Sequence, residues 1–141
     1  MNLKENIDVN VAPDVLLARE PLEIEKLKLI EEMTATVVQV LDEKKGQDVE
    51  VLRVAEKTTL ADVFVVASGT SSTHVKTLAD AVEEKLKEVY GLYPGHVEGL
   101  EKRNWVLLDY GDMIVHVMLP EDRMHYQLES LWRPGSGREI L

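Results

Sequence analysis

Asp62-Val63-Phe64-Val65-Val66-Ala67-Ser68-Gly69-Thr70-Ser71 decides the fold, because it passes from strand to helix start in one short stretch. Val63 to Ala67 is an unbroken run of β-branched, aromatic and small apolar side chains, the pattern of a strand buried on both faces. Ser68 and Gly69 break that run, and Ser71 or a neighbour can cap a helix through its side-chain oxygen. Val75, Leu78, Ala79, Val82, Leu86 and Val89 then recur at helical spacing and give the helix an apolar stripe up to Gly91.

Upstream, Pro21 suits the first turn of a helix, where its missing N–H is no loss. Leu27, Ile30, Met33, Val37, Val38 and Leu41 fall near helical spacing, and the helix is expected to stop near Gly46. Val49, Val51, Leu52 and Val54 suggest a first strand, followed by a turn over Glu56-Lys57-Thr58-Thr59. Downstream, Pro94-Gly95 turns the chain into a short edge strand, His96-Val97-Glu98. Two further strands, Trp105–Asp109 and Met113–Leu119, are joined at Tyr110-Gly111-Asp112 as a tight hairpin. Pro120 and Glu121 open a last helix carrying Met124, Tyr126, Leu128, Leu131 and Trp132, which ends at Pro134-Gly135-Ser136-Gly137. Strands alternating with helices predict an α/β (α+β) fold, a mixed sheet of four to five strands flanked by helices. Residues 1–20 read as a loosely ordered N-terminal extension, 21–133 as a single domain and 134–141 as a mobile tail.

The chain has 141 residues, 45% hydrophobic and 30% charged, with no cysteine and a formal net charge of −10. Without cysteine there is no disulfide framework, thiolate metal site or catalytic thiol. No apolar run is long enough to span a bilayer. Residues 1–20 lack the basic start and apolar core of a signal peptide, so a cytoplasmic location is expected. Phosphate backbones repel an acidic surface, so nucleic-acid binding, sequence-specific binding included, is not expected. Basic proteins are attracted by the same surface, although acidity also serves solubility alone.

Candidate chemistry is sparse. The Ser68-Gly69 junction resembles a phosphate site, since N–H groups at a helix start favour anions. Nucleotidyltransferases follow such a turn with metal-binding carboxylates one residue apart on a strand, where they share a face. Here the acids are Asp109 and Asp112, three apart across a turn, and Asp112 reads better as a hairpin cap. His74, His96, His116 and His125 form no H-x-x-x-H or H-x-H pair. His116, in an apolar strand, reads as a core or interface histidine with a satisfied ring. Asp62 could cap a turn or pair with a base, the structural role being preferred. No nucleophile elbow, P-loop or dinucleotide motif occurs. The expectation is therefore no metal, no cofactor and no enzymatic activity, with a nucleotide-binding or nucleotidyltransferase-like enzyme as the alternative. Trp105, Tyr110, Tyr126 and Trp132 concentrate rings with a polar handle in the C-terminal half, a composition enriched at interfaces. Trp132 fits a core position as well as it fits a dimer or partner contact.

Three groups of residues carry a resemblance. Asp62 to Ser71 is similar to the "D-x-F-V-x-x-S-G-x-S" of the Iojap, or ribosomal silencing factor, family, and Ala79-Asp80 and Glu98-Gly99 fall at its next positions. Trp105 to His116 resembles its "W-x-x-x-D-[YL]-G-D-x-x-V-H". Arg123, Tyr126, Leu128, Glu129, Leu131 and Trp132 resemble its "R-x-x-Y-x-L-E-x-L-W". Two positions depart: Thr73 stands where many members carry Arg, and Gly46 where Ala is usual, which would loosen the end of the first helix. The resemblance implies a nucleotidyltransferase-like fold without catalytic carboxylates and a homodimer when free. It also implies binding to the large ribosomal subunit through ribosomal protein L-fourteen, so that subunit joining is blocked and translation repressed; a role in large-subunit biogenesis is also implied. Trp105, Asp109, Tyr110, His116, Arg123 and Tyr126, with Glu98 and Asp62, are the expected partner-binding residues and their support.

Overall fold

The order of elements follows from where the apolar runs change period. In a computed structural model they are α1 (Pro13–Glu43), β1 (Gln47–Arg53), β2 (Val63–Ser68), α2 (Ser72–Tyr90), β3 (His96–Glu98), β4 (Trp105–Asp109), β5 (Met113–Met118) and α3 (Pro120–Tyr126). The structure describes the backbone of residues 13–53 and 62–126, and side chains within 23–53 and 62–124. The chain divides into two compact units, residues 1–32 and 33–141. The described part of the first is the N-terminal portion of α1, on which Leu27 and Leu29 are exposed. The second holds the rest of α1 and every other element.

Helix α1 begins at Pro13, earlier than the expected start at Pro21. Pro13 takes the first-turn place suited to proline, and Pro21 lies inside, where the helix must forgo one N–H···O bond. The other end forms a Schellman turn. Gly46 N–H donates to the Leu41 carbonyl at 2.7 Å and Lys45 N–H to that of Asp42 at 3.0 Å. Lys45 occupies the left-handed position at φ 67°, where glycine is usual. Gly46 comes one residue later because a Cβ there would stand 2.9 Å from the Leu41 oxygen. Glycine thus tightens this helix end, contrary to the loosening expected from sequence. Ser71 caps α2 as expected, accepting from His74 N–H at 3.1 Å.

The five strands form one mixed sheet in the order β1-β2-β5-β4-β3, with β2 and β5 parallel and the other pairs antiparallel. The central strands β2 and β5 are buried along their whole length, as the unbroken run in β2 predicts. One face carries Val63, Val65, Met113, Val115, Val106 and Leu108 and lies against the helices. Thr34 of α1 reaches the Met113 sulfur at 3.8 Å, and α2 buries Val75, Leu78, Ala79, Val82 and Leu86. The Thr36 and Tyr90 hydroxyls, 2.9 Å apart, tie α1 to α2. The opposite face is a cluster of Leu52, Phe64, Val66, Ile114 and Met118, with Trp105 and Leu107 packed against it. Every member of that second cluster comes from a strand.

Candidate functional site

Strand register alone assembles the site. Side chains two apart share a face, so residues paired across strands form rows on the face away from α1 and α2. The first row is Ser68, Met118 and Trp105. The second is Val66, His116, Leu107 and Glu98. The third is Phe64, Ile114, Asp109 and His96. Trp105, His116, Glu98 and Asp109 therefore surround Leu107 on one sheet face. His116 is buried; Trp105, Leu107 and Asp109 are partly exposed, and Glu98 is exposed.

These side chains hold one another. The Trp105 indole N–H donates to His116 Nδ1 at 3.1 Å. Phe64 packs on the same imidazole, with ring centroids 4.9 Å apart and planes tilted by 57°. At the rim, His96 Nε2 and Glu98 Oε2 lie 2.7 Å apart. Asp109 Oδ1 accepts Gly111 N–H at 2.8 Å and so ties down the β4–β5 turn. The backbone carbonyl of Asp112, in the same turn, accepts from the N–H groups of Asp62 and Val63 at 2.9 and 3.1 Å. Asp62 therefore sits at the entry to β2, locked to the hairpin through its backbone.

Glycine at position 99 makes the hairpin between β3 and β4 possible. Its φ is +88°, and a Cβ there would stand 1.9 Å from the Trp105 carbonyl oxygen. The "E-G" element thus has a steric reason: Gly99 lets the chain pass against the backbone of the strand that carries Trp105.

Arg123 and Tyr110 lie apart from this group. Arg123 of α3 reaches the edge of the face, donating from Nη1 to Ser68 Oγ at 3.1 Å. Tyr110 turns to the other side, towards α2. Its hydroxyl is buried, and burial first and the Glu83 carboxylate second push its pKa well above the ordinary tyrosine value. Glu83 itself is raised, by burial first and then by Asp80, with Lys76 opposing. The Tyr126 side chain and Trp132 lie outside the described residues. Leu107, at the centre of the ring, was not singled out from sequence; period-two alternation between Trp105 and Asp109 is the signal that places it there.

Among the described residues, no group of three or more His, Cys, Asp or Glu side chains is placed to share a metal ion. No described helix is long and apolar enough to cross a membrane.

A mixed five-stranded sheet with α1 and α2 on one face and a fixed set of side chains on the other defines a class of small α+β proteins. A crystal structure of a Chromobacterium violaceum protein has the same fold, with a TM-score of 0.70 and 39% identity over 77% of this chain and 92% of that one. The family described as "Ribosomal silencing factor during starvation" matches residues 28–140. The chain is 42% identical over 103 residues to the ribosomal silencing factor RsfS of Chromobacterium violaceum, covering 73% of this chain and 84% of that protein. It is 33% identical over 98 residues to the mouse protein named mitochondrial assembly of ribosomal large subunit protein 1, covering 68% of this chain and 43% of that one. The chain belongs to the RsfS family of ribosomal silencing factors.

Proposed function

We propose that the protein binds the large ribosomal subunit through ribosomal protein L-fourteen, blocks association with the small subunit and so represses translation, with a contribution to large-subunit biogenesis. The observation that carries this reading is the gathering of Trp105, Asp109, His116 and Glu98 around Leu107 on one sheet face. A half-exposed aromatic beside an apolar centre, with a polar rim, is the anatomy of a protein-binding hot spot. Arg123 closes one edge of that surface, while Asp62 and Tyr110 support it from the hairpin. The net charge of −10 favours a basic ribosomal protein over bare RNA. In this reading the protein acts by occupying a surface, catalyses nothing and binds no cofactor. It works in the cytoplasm and is a homodimer when free.

Co-sedimentation with isolated large subunits, followed by a subunit-joining assay, tests the proposal. Saturating protein is expected to travel with large subunits and to suppress joining. Normal joining at saturation overturns the silencing reading. Loss of binding to subunits that contain L-fourteen with an altered exposed face would identify the partner.

A further inference from the structure

We propose that His116 is a positioning residue for Trp105: by accepting the indole N–H it fixes the ring on the binding face and leaves a partner only the ring's π surface. The inference rests on the reading of this face as a binding surface.

The register makes the bond informative. Trp105 pairs across the strands with Met118, whereas His116 pairs with Leu107. The Trp105–His116 bond is therefore diagonal, at the separation that only long or aromatic side chains bridge. An indole at position 105 can lean along its strand in either direction. The 3.1 Å bond holds it towards the Leu107 row. Indole nitrogen is a donor only, so Nδ1 of His116 carries no proton and the neutral ring bears its hydrogen on Nε2. His116 is 4% exposed, and Phe64 packs on its ring, so the acceptor has little freedom to turn. The two ring centroids stand 5.9 Å apart.

A consequence follows for recognition. The single donor of Trp105 is engaged inside the protein, so a partner's hydrogen-bond acceptor gains nothing there. What remains beside Leu107 is a flat apolar surface whose orientation is set before the partner arrives. A fixed aromatic loses little freedom on binding, which raises affinity without adding a contact.

Two variants of the full chain separate the acceptor from the ring. His116→Phe keeps the volume and the packing with Phe64 but removes the acceptor; His116→Gln restores an acceptor oxygen. The readouts are the Trp105 indole N–H resonance, assigned with Trp105→Phe, its exchange with solvent, the ring-nitrogen shifts of His116 in the wild type, and affinity for isolated large subunits. Wild-type His116 is expected to show the Nε2–H tautomer. His116→Phe should move the indole resonance, speed its exchange and weaken subunit binding about five- to tenfold, the effect of one lost hydrogen bond. His116→Gln should recover most of both. A dominant Nδ1–H tautomer in the wild type overturns the proposal, and that measurement needs no variant to fold. An indole resonance unmoved in His116→Phe overturns it too, as does a moved resonance with wild-type affinity. If the wild type does not sediment with large subunits, the binding reading of the face fails, while the tautomer and exchange data still decide whether His116 holds Trp105.

Discussion

Replacing Gly99 with alanine should damage the fold far more than the same change at Gly111, although both glycines have φ +88°. Alanine in that backbone region costs about 1–2 kcal/mol whatever surrounds it. At Gly111 nothing lies within 4 Å of the added Cβ, so that cost stands alone. At Gly99 the Cβ would meet the Trp105 oxygen at 1.9 Å, its carbonyl carbon at 2.9 Å and Val106 Cα at 3.2 Å. All three are backbone atoms, so no side-chain rotation relieves them. Carbon and oxygen approach no closer than about 3.3 Å even in favourable contacts, so β3 and β4 must part by more than an ångström. Two or three ladder bonds would be lost or stretched, each contributing about 1 kcal/mol. The expected losses are therefore about 1–2 kcal/mol for Gly111→Ala and about 4 kcal/mol for Gly99→Ala by urea unfolding. Folded Gly99→Ala should also bind large subunits weakly, because the displaced strand carries Trp105 and Leu107. Equal losses in the two variants, within about 0.5 kcal/mol, would refute the close approach and with it the steric reason for glycine after Glu98.

Lys45→Gly should stabilise the protein by about 1 kcal/mol, since it removes a side chain from a left-handed helix-end position at φ 67°; an unchanged urea midpoint would argue against that geometry. Leu107→Glu places a charge at the centre of the signature ring and is expected to weaken large-subunit co-sedimentation at least tenfold, on the scale of a central hot spot. Val89→Glu, on an exposed α2 position, is the control that should leave binding intact. Glu83→Gln should raise the melting temperature, and the gain should depend on pH. The folded-state pKa of Glu83 is raised by burial and by Asp80, so ionisation disfavours the folded state. The sign is that of a group whose folded form holds its proton more tightly: stability falls as pH rises through the ordinary and then the raised carboxylate range. The gain from glutamine is thus largest at neutral pH and vanishes below the ordinary carboxylate pKa, which a melting series across pH would reveal.

Much of the fold was legible because its strongest signals are local. The run Val63–Ala67, the Ser71 cap and the apolar stripe from Val75 to Leu86 each specify an element without knowledge of the rest. The sheet order was not legible. It places β2 beside β5, parallel, although α2, β3 and β4 intervene in sequence, and no local pattern encodes that pairing. The helix start at Pro13 was missed because residues before Pro21 carry no sustained period. The signature residues were visible, and alternation divides them: Trp105, Leu107 and Asp109 fall on one face, and Tyr110, one residue further, falls on the side of α2. Asp109 and Asp112 were told apart only by geometry, through the bond from Gly111 N–H to the Asp109 carboxylate.

Four polar contacts of the signature share a property that its sequence pattern does not display. Trp105 gives its N–H to His116, Asp109 accepts from Gly111, Arg123 reaches Ser68, and Glu98 lies against His96. Three of these bonds join a residue on the face to a neighbouring strand, turn or helix, and the fourth ties two residues of β3, so the pattern specifies a held surface more directly than it specifies reactive groups. A surface fixed in this way suits recognition by shape: side chains already ordered lose less entropy when a partner covers them. It suits catalysis poorly at the same atoms, because a general base or metal ligand needs a lone pair directed at substrate, and the Asp109 oxygen nearest the hairpin is directed at the backbone of Gly111. The fold thus buries apolar side chains on both faces of its sheet and ties polar ones of the second face in place, and the close approach of Gly99 to the Trp105 carbonyl is part of that fixing.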